Sequence, residues 1–224
     1  MGLDLTVGML PALAIDPEGI EDYQHRFERV NQALEAAGLP SHHEPTAAQG
    51  RIPWFCQMWG YSGLHYLRRF AAYLWAGEPM PAPATHQDVR DPMRDPIMDM
   101  AYSLCYPENR PFAAPHLLFH SDSTGFYLPQ DFEDVIYPAR SLEIPGDMIG
   151  SAAALQRECT RLARALEIPP DLDPEDPRVW DAAANQGTPE ATMWQYYGME
   201  SFTCVRLLRA CEIALESGCA IVFH

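Results

Sequence analysis

Near its start the chain alternates. Leu3, Leu5, Val7 and Met9 are apolar, and Asp4, Thr6 and Gly8 separate them. A period of two predicts a strand with one buried face. After Asp16 the period lengthens. Asp16-Pro17-Glu18 supplies an N-cap, a proline for the first helical position and an acid for the first turn. Ile20, Tyr23, Phe27, Val30, Leu34 and Ala37 follow three or four residues apart, and Gly38 with Pro40 closes the helix.

A second stripe, Gly60, Leu64, Leu67, Ala71 and Leu74, predicts a helix over 54–75. Its aromatics, from Trp54 and Phe55 to Tyr73 and Trp75, imply burial on more than one side. Residues 77–96 contain Pro79, Pro81, Pro83, Pro92 and Pro96 and read as a long connection of the kind that forms lids or binding loops. A short helix follows from Asp95-Pro96 to about Leu104.

Over 115–128 the pattern predicts a β-hairpin. Leu117 and Phe119 share one face of its first strand, Phe126 to Leu128 form the second, and Asp122-Ser123-Thr124-Gly125 is the turn. Ser151 opens a helix over 151–167 with Leu155, Cys159, Leu162 and Leu166 inward. Residues 168–188 are rich in Pro and Asp and read as a loop. Thr188-Pro189-Glu190 then opens a last helix, with Tyr197, Ser201, Cys204, Leu208, Cys211 and Leu215 on its buried stripe. Gly218 ends it, and Cys219 to Phe223 is a closing strand. This order predicts one helix-rich α+β domain over 1–224. Its small, largely antiparallel sheet is formed by the N-terminal strand, the central hairpin and the C-terminal strand.

Composition narrows the chemistry. The chain has no lysine; its 15 basic residues are all arginine, against 31 Asp+Glu. Schiff-base, pyridoxal-phosphate, Walker A and Ser-Lys mechanisms all need a lysine. The arginine bias suggests a bacterial genome rich in G and C. A net charge of −16 opposes the counterion release that drives binding to double-stranded nucleic acid, and opposes anionic membranes. The expected partner is therefore a basic protein, with neither nucleic acid nor membrane. Six cysteines without a C-x-x-C pair, in apolar patterns and with no recognisable signal peptide, read as reduced thiols of a cytoplasmic protein.

Three constellations could carry chemistry. In the predicted hairpin, His116, His120 and Asp122 share the less buried face, which suits a divalent metal. His120 and Asp122 are ~6.6 Å apart at strand rise and can share an ion, whereas His116 lies ~13 Å from His120 and is at most a supporting group. His65, Asp131, Glu133 or Asp134 would have to complete the set. Asp122-Ser123-Thr124-Gly125 is equally explained as a turn. On the second helix Tyr61, His65 and Arg69 stand at i, i+4 and i+8 and could line a ligand pocket, or pair with acidic loops. On the third, Arg157, Arg161 and Arg164 form a basic stripe expected to pair with the Asp171–Asp176 loop.

No G-x-S-x-G, H-E-x-x-H, G-x-G-x-x-G or EF-hand pattern is present. The leading reading is a non-catalytic interaction protein of regulatory or toxin-neutralising type. The alternatives are a metal-assisted hydrolase centred on His120 and Asp122, and a small-molecule binder using the aromatic helix.

Overall fold

The computed structural model describes residues 3–47, 50, 52–58, 60–83, 91–104, 114–188 and 191–224. Its elements are β1 (Asp4–Val7), α1 (Met9–Ala12), α2 (Pro17–Ala36), β2 (Trp54–Gln57), α3 (Gly60–Ala76), α4 (Pro96–Leu104), α5 (Pro115–Phe119), β3 (Gly125–Leu128), β4 (Ile149–Ser151), α6 (Ala152–Ala165), α7 (Pro177–Ala184), α8 (Met193–Tyr196), α9 (Gly198–Ser217) and β5 (Ile221–Phe223).

The strands form one sheet in the order β2-β1-β5-β3-β4. Every pairing is antiparallel except β3 with β4. The alternation at Leu3–Met9 and the apolar run after Gly218 thus meet as central neighbours, with Leu5 opposite Phe223 and Val7 opposite Ile221. This is the expected α+β fold with a mostly antiparallel sheet.

Helices cover both faces. On one, Leu64, Leu67 and Phe70 of α3, Leu155, Cys159 and Leu162 of α6, and Cys204, Leu207 and Cys211 of α9 pack with Leu5, Tyr127, Ile221 and Phe223. On the other, Phe27, Val30 and Leu34 of α2 pack on Phe126, Leu128, Ile149 and Val222. Helix α9 lies between α3, α6 and α7, and most of it is buried. Cys204 and Cys211 are free thiols with no exposure, as their place on the buried stripe requires.

The local signals at α2 and α6 act as their sequences dictate. The Asp16 carboxylate accepts from the Gly19 amide at 3.1 Å, and the Ser151 hydroxyl accepts from the Ala154 amide at 3.1 Å.

Four expectations are corrected. The first arm of the hairpin is not a strand. Residues 115–119 form α5, with Pro115 in its first turn, and β3 pairs instead with β4 and β5. Glu158 makes that helix possible: its carboxylate accepts from the His116 amide at 3.1 Å and the Leu117 amide at 2.7 Å. At the other end Arg68 donates from Nε to the Leu117 carbonyl and from Nη2 to the His120 carbonyl. Both sets of orphan backbone groups are satisfied by side chains distant in sequence.

The predicted helix over 54–75 is divided into β2 and α3, which lengthens the sheet by an edge strand. The 168–188 loop contains α7, capped by Asp176 with Pro177 next to it. The last helix starts at Gly198, after the separate turn of α8. Pro189 and Glu190, expected to open it, lie outside the described residues, as do residues 84–90 of the proline-rich connection and Cys105.

Candidate interaction surface

Helix α2 buries one side and leaves a ridge of carboxylates on the other. Glu18, Glu21, Glu28 and Glu35 are exposed. Positions 21, 28 and 35 recur every seven residues, so they stay within about 40° of one line and rise ~10.5 Å at each step. His25 sits between two of them, 3.1 Å from Glu28 and 3.9 Å from Glu21. The two arginines of the helix are turned to its flanks. Arg26 pairs with Asp22 at 2.7 Å, and Arg29 faces Glu143 at 3.8 Å.

A second acidic surface surrounds α7, where Asp171, Asp173, Glu175 and Asp181 are exposed. Arg178 is drawn to its own N-cap, Asp176, at 2.6 Å. The basic stripe of α6 does not neutralise this region as expected. Arg157 reaches Asp131 instead, in a two-pronged pair at 2.7 and 2.9 Å. Arg161 and Arg164 are exposed and make no ion pair among the described residues. Between the acidic segment and the sheet edge lies a cavity of about 350 Å³, lined by Asp4, Thr6, Phe55, Gln57, Glu175 and Trp180, among others.

The residues singled out as metal ligands do not share the strand face expected of them, because that strand is a helix. His116 is fully buried. Its Nδ1 accepts from the Ser151 amide at 3.0 Å and its Nε2 donates to the Glu133 carbonyl at 3.1 Å, which fixes a neutral tautomer. His120 is also buried, stacked on Tyr127 at 3.9 Å, with Nδ1 and Nε2 each 3.0 Å from a carbonyl, those of Ser121 and Phe126. Burial pushes both imidazoles down to about 4. The Glu158 carboxyl behind them is pushed up to about 8 by burial, against the pull of its two backbone amides.

Asp122 stands apart from His120 and takes a hydrogen bond from His65 at 2.7 Å. Partial burial would raise its carboxyl, but the His65 bond and the Arg68 charge hold it below its usual range. Among the described residues no group of three or more His, Cys, Asp or Glu is placed to hold a metal ion.

The proposed ligand-binding edge of α3 is engaged in pairing. His65 bonds Asp122, and Arg69 bonds Asp95 at 2.6 Å, where Tyr73 also donates. Tyr61 lies in the first turn of the same helix. Sequence reasoning passed over Glu158 and Arg68, whose roles depend on contacts more than forty residues away. It also missed the spacing of Glu21, Glu28 and Glu35, which the sequence does display.

His116 and His120 are committed to the buried polar core, and above it lies a surface rich in exposed carboxylates, the feature through which an interaction protein would meet a basic partner. No helix among the described residues is long and apolar enough to cross a membrane. The family model that matches residues 1–223 is described as "Putative DNA-mimic protein", and the chain belongs to that family. No curated protein and no solved structure matches it.

The family corrects the expectation that nucleic acid has no part in this protein's partnerships. Counterion release speaks only to whether the chain itself grips a duplex. A family named for imitating DNA places the chain among proteins whose partners are those of nucleic acid, and the charge that argued the other way is what such imitation needs.

Proposed function

We propose that this protein is a bacterial, cytoplasmic decoy that occupies the DNA-binding surface of a basic protein, regulating or neutralising it without catalysis. The observation that carries this reading is the carboxylate ridge of α2, in a chain matched over residues 1–223 by a DNA-mimic family. Glu18 to Glu35 spans ~25 Å of helix at 1.5 Å per residue. A surface built to contact phosphates finds there acceptor oxygens of the right charge, held on a rigid element. The ridge is sparser than a duplex, which carries one charge per ~1.7 Å of axis. The acidic α7 segment adds to it. Reduced, buried cysteines fit a reducing compartment.

The test is competition. Immobilised protein is loaded with lysate of the host bacterium, and the bound fraction is eluted with duplex DNA. DNA should release the captured proteins, and these should rebind to DNA–cellulose. The triple variant Glu21→Gln, Glu28→Gln, Glu35→Gln should lose capture while keeping its melting temperature. Captured proteins indifferent to both DNA and the triple variant would overturn the reading.

A further inference from the structure

The cavity beside β2 has a composition unlike the rest of the acidic surface. Register brings Asp4 opposite Gln57 and Thr6 opposite Phe55. Asp4, Thr6, Phe55 and Gln57 thus form one patch of the sheet face, and Glu175 and Trp180 close the cavity from the α7 side. Phe55 is 59 % exposed, an unusual position for a phenyl ring.

The cation nearest this wall is spent. Arg206 has no exposed side-chain surface. Its guanidinium lies over the Phe202 ring at 3.5 Å and the Trp180 ring at 4.7 Å, and its Nε donates to the Gln57 carbonyl at 3.1 Å. Its Nη2 reaches Glu175 only at 3.4 Å. Asp4 pairs with no cation among the described residues. His224 also lines the wall, with its Nε2 2.7 Å from the Thr6 hydroxyl, and the side-chain carboxylates of Asp4 and Glu175 outnumber the one guanidinium beside them.

We propose that this cavity takes one arginine side chain of a protein partner. The proposal rests on the decoy reading and adds the anchor by which a basic protein is held. A volume of about 350 Å³ suits a single side chain and not a helix. Aromatic surface next to carboxylate is the environment that a guanidinium satisfies best, because its plane stacks while its N–H fork engages oxygen. A buried arginine anchor is also the commonest kind of interface hot spot after the aromatics.

The probe is a blocked Gly-Arg-Gly tripeptide titrated into the isotope-labelled protein, followed by NMR. The Trp180 indole and Gln57 side-chain amide signals should shift saturably. The citrulline tripeptide, uncharged and nearly isosteric, should bind at least about ten-fold more weakly. Phe55→Ser should weaken the arginine peptide about five-fold, the loss expected at a partly exposed cation–π site. Asp4→Asn should weaken it as well, and Glu216→Gln should leave it unchanged. Phe55 is exposed, so its variant should keep the parent melting temperature and remains readable if Asp4→Asn unfolds.

Equal binding of arginine and citrulline peptides, or indifference to Phe55→Ser, overturns the proposal. A lysine tripeptide that binds as tightly as the arginine one overturns the choice of arginine. None of these arms uses a partner protein. Failure of DNA-competed capture therefore strikes the decoy reading alone, and failure of the peptide strikes the pocket alone.

Discussion

Stability should pass through a maximum near pH 6.5, for a reason located in three buried groups. His116 and His120 are held at about 4 in the folded protein, against an ordinary value of 6.5. The unfolded chain therefore binds two more protons than the folded one between those values. The stability they contribute is fully present above pH 6.5 and is lost as pH falls toward 4. Glu158 works the other way. Its folded value of about 8 stands above the ordinary 4.5, so its contribution is present below 4.5 and is lost as pH rises toward 8.

Between 4.5 and 6.5 two histidines oppose one glutamate, leaving a net uptake of one proton on unfolding. The slope is about 1.4 kcal/mol per pH unit, or about 3 kcal/mol across the window. Above 6.5 the histidines are silent and Glu158 alone should lower stability at a similar slope, by about 2 kcal/mol up to pH 8. Urea denaturation at half-unit intervals from pH 4.5 to 8.5 reads both limbs. Glu158→Gln, which imitates the neutral acid, should flatten the alkaline limb. His120→Phe should bring the acid limb close to level, since one histidine and one glutamate then cancel. A wild-type alkaline limb that persists unchanged in Glu158→Gln would refute the assignment, leaving general charge repulsion as its cause.

Two further outcomes test the packing. Glu44, buried beside His42, accepts from His42 Nε2 at 2.7 Å and from the Ala220 amide at 2.8 Å. Glu44→Ala should destabilise by about 1–3 kcal/mol for each buried donor it leaves unpaired, as read by the shift of the urea midpoint. Gly198, where α9 crosses α7, has no room for a methyl group, because a Cβ there would collide with the Ala182 carbonyl. Gly198→Ala should cost at least about 1–3 kcal/mol in the same assay, whereas an alanine at the exposed, uncrowded Gly38 should cost about 1 kcal/mol.

Elements whose causes are local were legible in the sequence. The Asp16-Pro17 cap with its apolar stripe gives α2, Ser151 gives α6, and alternation gives β1. The same Asp-Pro signal stands at Asp176-Pro177, and it marks α7 inside what reads as a loop. Elements whose causes are remote were not legible. Residues 115–119 fit a strand by alternation, and side chains distant in sequence, with Glu158 at one end and Arg68 at the other, satisfy the backbone groups of the helix they form instead. Strand β2 was hidden because Trp54-Phe55-Cys56 continues the aromatic density of α3 without a break in polarity. Of the interaction surface, the charge was plain but its arrangement was not. Composition cannot tell a solvated acidic surface from one aligned along a helix.

The lysine-free composition acquires a physical sense once the arginines are placed. Arg68 bridges two carbonyls at a buried helix end, and Arg206 lies over two rings while donating to a strand edge. Both tasks use the planar fork of a guanidinium, which stacks on a ring and donates in fixed directions where a lysine ammonium acts as a compact point charge. Arg69 is held by Asp95 and Arg157 by Asp131. Cations used for internal structure do not reach the ridge of α2, so Glu18 and Glu35 face solvent without an ion pair among the described residues. Because those charges are exposed, their reach is limited to a Debye length of ~8 Å at physiological salt. A partner must therefore bring its basic groups close to the helix, so any capture by this surface should weaken steeply as salt is raised, as binding to DNA itself does.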